Sequence, residues 1–156
     1  MKGNDIILSS PPRGPVEEGI ISGTPKPGTI MEIVPGTAPV NGRFTWRAST
    51  VTTGNARMVA ILCADNLQGK LPTDAYVSGT RGRIYFPLIG EEVNVLFAPE
   101  PGTGSVSTVK IGDLLGINTS GLAVPNSSYP STPFQSLEYI TENPSQTATL
   151  VWCKRT

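Results

Sequence analysis

Four carboxylates and two thiols are the groups in this chain whose types and spacing could do chemistry: Glu91 beside Glu92, Asp65 with Asp74, and the cysteines Cys63 and Cys153. A general acid and base pair needs two carboxyl groups facing one reacting atom. Neighbouring residues on a strand point to opposite faces, so Glu91 and Glu92 cannot share a proton, and all four carboxylates read as solvated turn charges. The chain has no histidine, the side chain that most often serves as general base or metal ligand near neutral pH. Without it, a nucleophilic cysteine has no ordinary basic partner. Cys63 lies inside the apolar run Val59-Ala60-Ile61-Leu62-Cys63-Ala64 and Cys153 follows Leu150-Val151-Trp152, so both read as buried free thiols on strands. Gly102-Thr103-Gly104 lacks the helix and lysine that a phosphate-cradling loop requires. No cluster has the close ligand spacing of a zinc or calcium site, so no metal and no cofactor are expected. Asn118-Thr119-Ser120 and Asn126-Ser127-Ser128 match the glycosylation acceptor by chance on this reading. The residues point away from an enzyme and towards a structural or binding protein.

The elements that hold these groups follow from the composition. Among 156 residues there are 17 glycines and 15 prolines, which disfavour helix interiors. Between them recur short runs of valine, isoleucine, phenylalanine and tyrosine, the mark of short strands joined by tight connections. The fold class expected is all-β, a small barrel or sandwich of about eight to ten short strands. Twelve basic and twelve acidic residues cancel, leaving no broad positive field for a phosphate backbone, so nucleic acid is not an expected partner. No apolar run is long enough to cross a bilayer, and Met1-Lys2-Gly3-Asn4-Asp5 does not begin a signal peptide, so synthesis in a cytoplasm and no membrane partner are expected.

Two regions are expected. Residues 1–27 alternate prolines (Pro11, Pro12, Pro15, Pro25, Pro27) with glycines around the apolar clusters Ile6-Ile7-Leu8 and Ile20-Ile21, and read as an extended arm. As polyproline II at about 3.1 Å per residue it would span on the order of 80 Å, enough to reach a neighbouring molecule. The alternative for this segment is a disordered leader or a strand lying on its own domain. Residues 28–156 read as the β-domain. Within it, Thr29 to Val34 is a strand, and Phe44, Trp46 and Ala48 alternate with Arg43, Thr45 and Arg47, placing the arginines outward. Arg57 to Ala64 suits a central strand buried on both faces. Arg81 to Phe86 alternates, Val93 to Ala98 follows, and Ser107 to Ile111 and Leu114 to Ile117 continue the pattern. Gln135 to Thr141 and Thr147 to Cys153 close the chain. Arg43, Arg47, Arg81 and Arg83 could form a small basic strip, and with Trp46 they are the possible interface residues.

The stretch Asp74-Ala75-Tyr76-Val77-Ser78-Gly79-Thr80-Arg81-Gly82-Arg83-Ile84-Tyr85-Phe86-Pro87-Leu88-Ile89-Gly90-Glu91-Glu92-Val93-Asn94-Val95 resembles the central segment of capsid decoration, or cement, proteins of tailed bacteriophages. Ile111-Gly112-Asp113-Leu114-Leu115-Gly116-Ile117 looks like the strand that follows a Gly-Asp turn in that family. Leu137-Glu138-Tyr139 with Thr147 to Trp152 looks like its paired closing strands. The resemblance covers residues 28–156; the arm and the polar excursion from Ala48 to Ala56 depart from the pattern. It implies a barrel that binds the outer face of an assembled capsid as a homotrimer and clamps adjacent subunits of the major capsid protein. On that expectation Ile6, Ile7, Leu8, Pro11, Pro12 and Arg13 are the capsid-binding arm residues, and the protein is located on the virion. The alternative is a trimeric receptor- or glycan-binding β-module, with the Asn118 to Pro133 loop as its site.

Overall fold

The computed structural model describes residues 6–7, 13–50, 59–65, 71–98, 107–125, 133–142 and 148–156. All regular structure among them is β, as the composition requires. The first half holds β1 (Val16–Ile21), β2 (Ile30–Ile33), β3 (Thr45–Ala48), β4 (Ala60–Leu62) and β5 (Arg81–Tyr85), which close into a barrel in the order β1-β3-β2-β4-β5. The second half holds β6 (Glu92–Phe97), β7 (Ser107–Val109), β8 (Leu114–Ile117), β9 (Ala123–Pro125), β10 (Phe134–Ser136), β11 (Ile140–Glu142) and β12 (Thr149–Arg155). Of these, β10-β12-β6-β9-β8 form a second closed barrel, and β7 pairs with β11 as a separate ribbon. The expected single barrel is therefore two. Period-two alternation says which face of a strand is buried, but strands this short do not say which partner each will find.

β1 is the element that closes the first barrel. It runs parallel to β3, with Ile21 opposite Trp46, and antiparallel to β5, from Val16 opposite Tyr85 to Ile20 opposite Arg81. For residues 16–21 this replaces the reading of an extended arm with the alternative, a strand lying on its own domain, since they form a barrel stave. Without it β3 and β5 would each present an unpaired edge, which is why the chain keeps Val16-Glu17-Glu18-Gly19-Ile20-Ile21 as a strand despite the surrounding prolines. Residues 6 and 7 are also held on the same molecule: Ile7 bridges Val93, and Asn94 N donates to Ile6 O at 2.9 Å.

Alternation sorts the side chains into two apolar clusters. Ile21, Met31, Trp46, Ala60, Leu62 and Ile84, one or two from each strand, fill the first barrel together with Tyr76. Val93, Val95, Phe97, Leu115, Ile117, Ala123, Phe134, Val151 and Cys153 fill the second, and this cluster continues through Ile30, Ile61 and Tyr85 of the first. β4 is thus buried on both faces, Ala60 and Leu62 one way and Ile61 the other, as its unbroken apolar run foretells. Each valine, leucine, isoleucine, phenylalanine or methionine among them contributes about 1.5–3 kcal/mol on full burial. The halves are also joined by backbone: Leu96 N donates to Gly28 O at 2.9 Å and Ile30 N to Gly121 O at 2.8 Å. Gly121 permits this contact, because a Cβ there would overlap Ile30 O and Ser49 N.

The run Gln135 to Thr141, expected as one strand, is split between the second barrel and the ribbon. Ser136 Oγ donates to Glu138 O at 2.8 Å and Leu137 N donates to Trp152 O, so the backbone turns away after β10 and restarts as β11.

Candidate functional site

Glu91 is not a solvated turn charge. Its side chain is fully enclosed where the β5–β6 connection meets the segment leading into β1. Tyr85 Oη donates to Oε2 at 2.6 Å, Leu88 N to Oε2 at 2.7 Å and Arg13 N to Oε1 at 2.6 Å. Burial alone raises the Glu91 pKa, but these bonds and one from the Gly14 backbone outweigh it and hold the carboxyl below its ordinary value. The Tyr85 phenol is pushed the other way, by burial and by the carboxylate it faces. The Glu91 backbone takes part as well: Arg155 N donates to Glu91 O at 2.9 Å and Gly90 N to Arg155 O at 2.8 Å. One carboxylate therefore ties the N-terminal segment, the β5–β6 turn and, through its backbone, the last strand. Glu92 turns elsewhere and accepts from Trp152 Nε1 at 3.2 Å, so the two glutamates diverge as strand geometry requires. Asp65 is also buried, against the expectation of a solvated charge, whereas Asp74 caps its turn by accepting from Leu71 N.

The arginines do point outward, but they do not make a basic strip. Arg43 forks onto Glu18 Oε2 at 2.9 and 3.1 Å, and Arg47 meets Glu32 Oε1 at 2.8 Å. Glu18 also stands opposite Arg83 in the β1–β5 register, so charges of both signs alternate across this surface. Arg81 is exposed, opposite Ile20. Trp46, expected at an interface, is 2% exposed and lies inside the first barrel, over Gly19 and edge-on to Phe86 at 5.6 Å between ring centroids. Of the arm residues, Ile6 is 3% exposed in the core, which corrects its reading as a free anchor, and Ile7 packs half-buried beside it. Arg13 is exposed at its guanidinium while its backbone serves Glu91. Leu8, Pro11 and Pro12 lie outside the described residues, as do Gly102-Thr103-Gly104 and Asn126-Ser127-Ser128. Asn118 Oδ1 accepts from Ser120 N and Leu122 N, so its side chain serves the turn before β9.

Both cysteines are free and buried, as read. Burial pushes the Cys63 thiol up to about 12 and the Cys153 thiol upward as well, so neither is a thiolate near neutral pH. Among the described residues no group of three or more histidine, cysteine, aspartate or glutamate side chains is placed to hold a metal.

Among the described residues, two concavities stand out. One, of about 400 Å³, is an apolar groove on the first barrel where Phe44, Phe86, Pro15, Pro87 and Leu88 surround the edge of Trp46, with Glu17 and Arg155 also lining it. Phe44 and Leu88 are 44% and 47% exposed, and Val16 and Ile89 add exposed apolar surface from the same strand and turn. The second, of about 580 Å³, lies between the two halves of the chain. Neither the groove nor the Glu91 cluster was found from sequence. The available signal was the pair Tyr85 and Glu91 flanking the tight Phe86-Pro87-Leu88-Ile89-Gly90 connection.

No protein-family model and no curated protein sequence matches the chain. Among solved structures it is similar to the head fiber gp8.5 N base in bacteriophage phi29, with a TM-score of 0.56 and 13% identity over 92% of this chain and 94% of that one. At this identity the likeness is one of fold, and it spans nearly the whole length of both chains. The protein is all-β, with a fold similar to that of a bacteriophage head fiber base.

Proposed function

We propose that this chain is a non-enzymatic structural protein of a tailed-phage virion that binds the outer surface of the assembled capsid and stabilises it by clamping adjacent coat subunits. The observation that carries this reading is the fold likeness to a phage head fiber base along nearly the whole chain. The decoration-protein resemblance in residues 28–156 supports it independently. A protein that works outside a shell gains from having few unpaired strand edges, and the two closed barrels leave only the short β7–β11 ribbon open-edged among the described strands. The partner is the major capsid protein, met by the apolar groove around Phe44, Phe86 and Leu88. Assembly as a homotrimer would let three modest contacts act as one strong clamp.

The test is co-sedimentation of the pure full-length protein with empty capsids of its phage, run beside a glycan array. Saturable binding to capsids supports the reading. Binding to glycans with none to capsids favours the receptor-binding alternative and overturns it.

A further inference from the structure

The 580 Å³ cleft between the two halves of the chain has a lining unlike that of the groove. Its polar groups are almost all hydroxyls: Ser22 and Thr24 from the β1–β2 connection, Thr50 after β3, and Thr119 and Ser120 from the β8–β9 turn. Two cations, Lys26 and Arg47, also line it, and its described lining residues include no carboxylate and no aromatic ring, although the Glu32 carboxylate stands directly behind Thr50 and Arg47 and accepts from each at 2.8 Å. Arg47 is largely committed, since Glu32 holds its Nε and Thr50 Oγ1 lies 3.5 Å from its Nη2. Lys26 is exposed and makes no ion pair among the described residues. Between the polar groups lie the carbon surfaces of Leu96, Leu122 and Ala48.

We propose that this cleft binds a small anionic saccharide, a sugar of one or two rings bearing one carboxylate, phosphate or sulfate. The volume falls within the range of about 300–1,000 Å³ typical of small-molecule sites. The hydroxyls of Ser22, Thr24, Thr119 and Ser120 can both donate to and accept from a sugar hydroxyl, Thr50, which donates to Glu32, can accept, and the apolar lining suits the C–H faces of the ring. The lysine supplies a charge-assisted partner for the anion, and the Glu32 carboxylate behind the lining is neutralised by its ion pair with Arg47. The inference rests on the cleft alone and is independent of capsid attachment.

The experiment is a titration of the isotope-labelled full chain followed by backbone amide shifts. The probes are glucuronic acid and glucose 6-phosphate, with glucose and inorganic phosphate as controls. The amides of residues 22–26, 47–50 and 119–122 should shift with at least one acidic sugar, about tenfold more tightly than with either control. Lys26→Gln, an exposed change that leaves the spectrum dispersed, should weaken that binding about tenfold. No shift with either acidic sugar up to about 10 mM, a weak limit for a small site, would overturn the proposal. So would phosphate alone binding as tightly as the sugar phosphate, or unchanged affinity in the lysine variant.

Discussion

Tyr85 and Glu91 stand on either side of the β5–β6 connection, and the phenol donates to the carboxylate at 2.6 Å in an enclosed space that Arg13 N and Leu88 N also enter. Because Tyr85 belongs to the first barrel and Glu91 leads directly into the second, this contact sits where the two halves meet. Its integrity governs how the N-terminal segment is held.

Glu91→Ala strands several buried donors at once. Breaking a buried charged network of this kind costs about 3–5 kcal/mol. Urea unfolding followed by tryptophan fluorescence reads the loss directly; a change under about 1 kcal/mol would place Glu91 outside the stabilising network.

The same group makes stability depend on acid. Its folded pKa lies below the ordinary 4.5, so its contribution is complete above the unfolded value and is lost as pH falls through the folded one. Glu32 adds to this with the same sign: burial raises its pKa, but Thr50 and Arg47 outweigh that and lower it. Tyr85→Phe removes one donor, so the folded pKa of Glu91 rises and acid unfolding should begin at a higher pH than in the parent. Circular dichroism against pH checks this, and an unchanged midpoint would contradict it.

Two N-terminal truncations separate stave from tail. Removing residues 2–21 takes away β1 and leaves β3 and β5 with unpaired edges, so the product is expected to aggregate. Removing residues 2–12 keeps β1 and the backbone bonds to Glu91 but deletes the buried Ile6, with an expected loss of about 2–5 kcal/mol in a soluble, folded protein. Equal behaviour of the two would refute the role given to β1.

The proposed capsid contact is apolar and the chain has a formal net charge of zero. Association should therefore change by less than about threefold between roughly 0.05 and 0.5 M salt. Phe44→Glu or Leu88→Glu, both at exposed positions, should abolish it while leaving the unfolding curve nearly unchanged. Steep salt dependence with intact binding in both variants would move the contact elsewhere.

Much of the β-structure was legible because it is written in adjacent residues. The alternation from Arg43 to Ala48 and the apolar run ending at Ala64 each specify a strand locally, and the run specifies burial on both faces, whereas Phe44, read on the buried side with Trp46, is exposed in the groove. Closure into two barrels was not, since it depends on pairings such as Ile20 with both Thr45 and Arg81, far apart in sequence. Glu91 was misread for the same reason. A glutamate after Gly90 looks like a solvated turn, and its partner Arg13 N is 78 positions away. Arg43 and Arg47 looked basic because Glu18 and Glu32, which neutralise them, come from other strands.

Imaging capsids with and without the added full-length protein tests the central proposal most directly. Extra density of trimeric outline is expected on the outer surface, bridging adjacent coat subunits, with the first barrel's Phe44 and Leu88 face turned towards the shell. Capsid maps that are identical with and without saturating protein would contradict it.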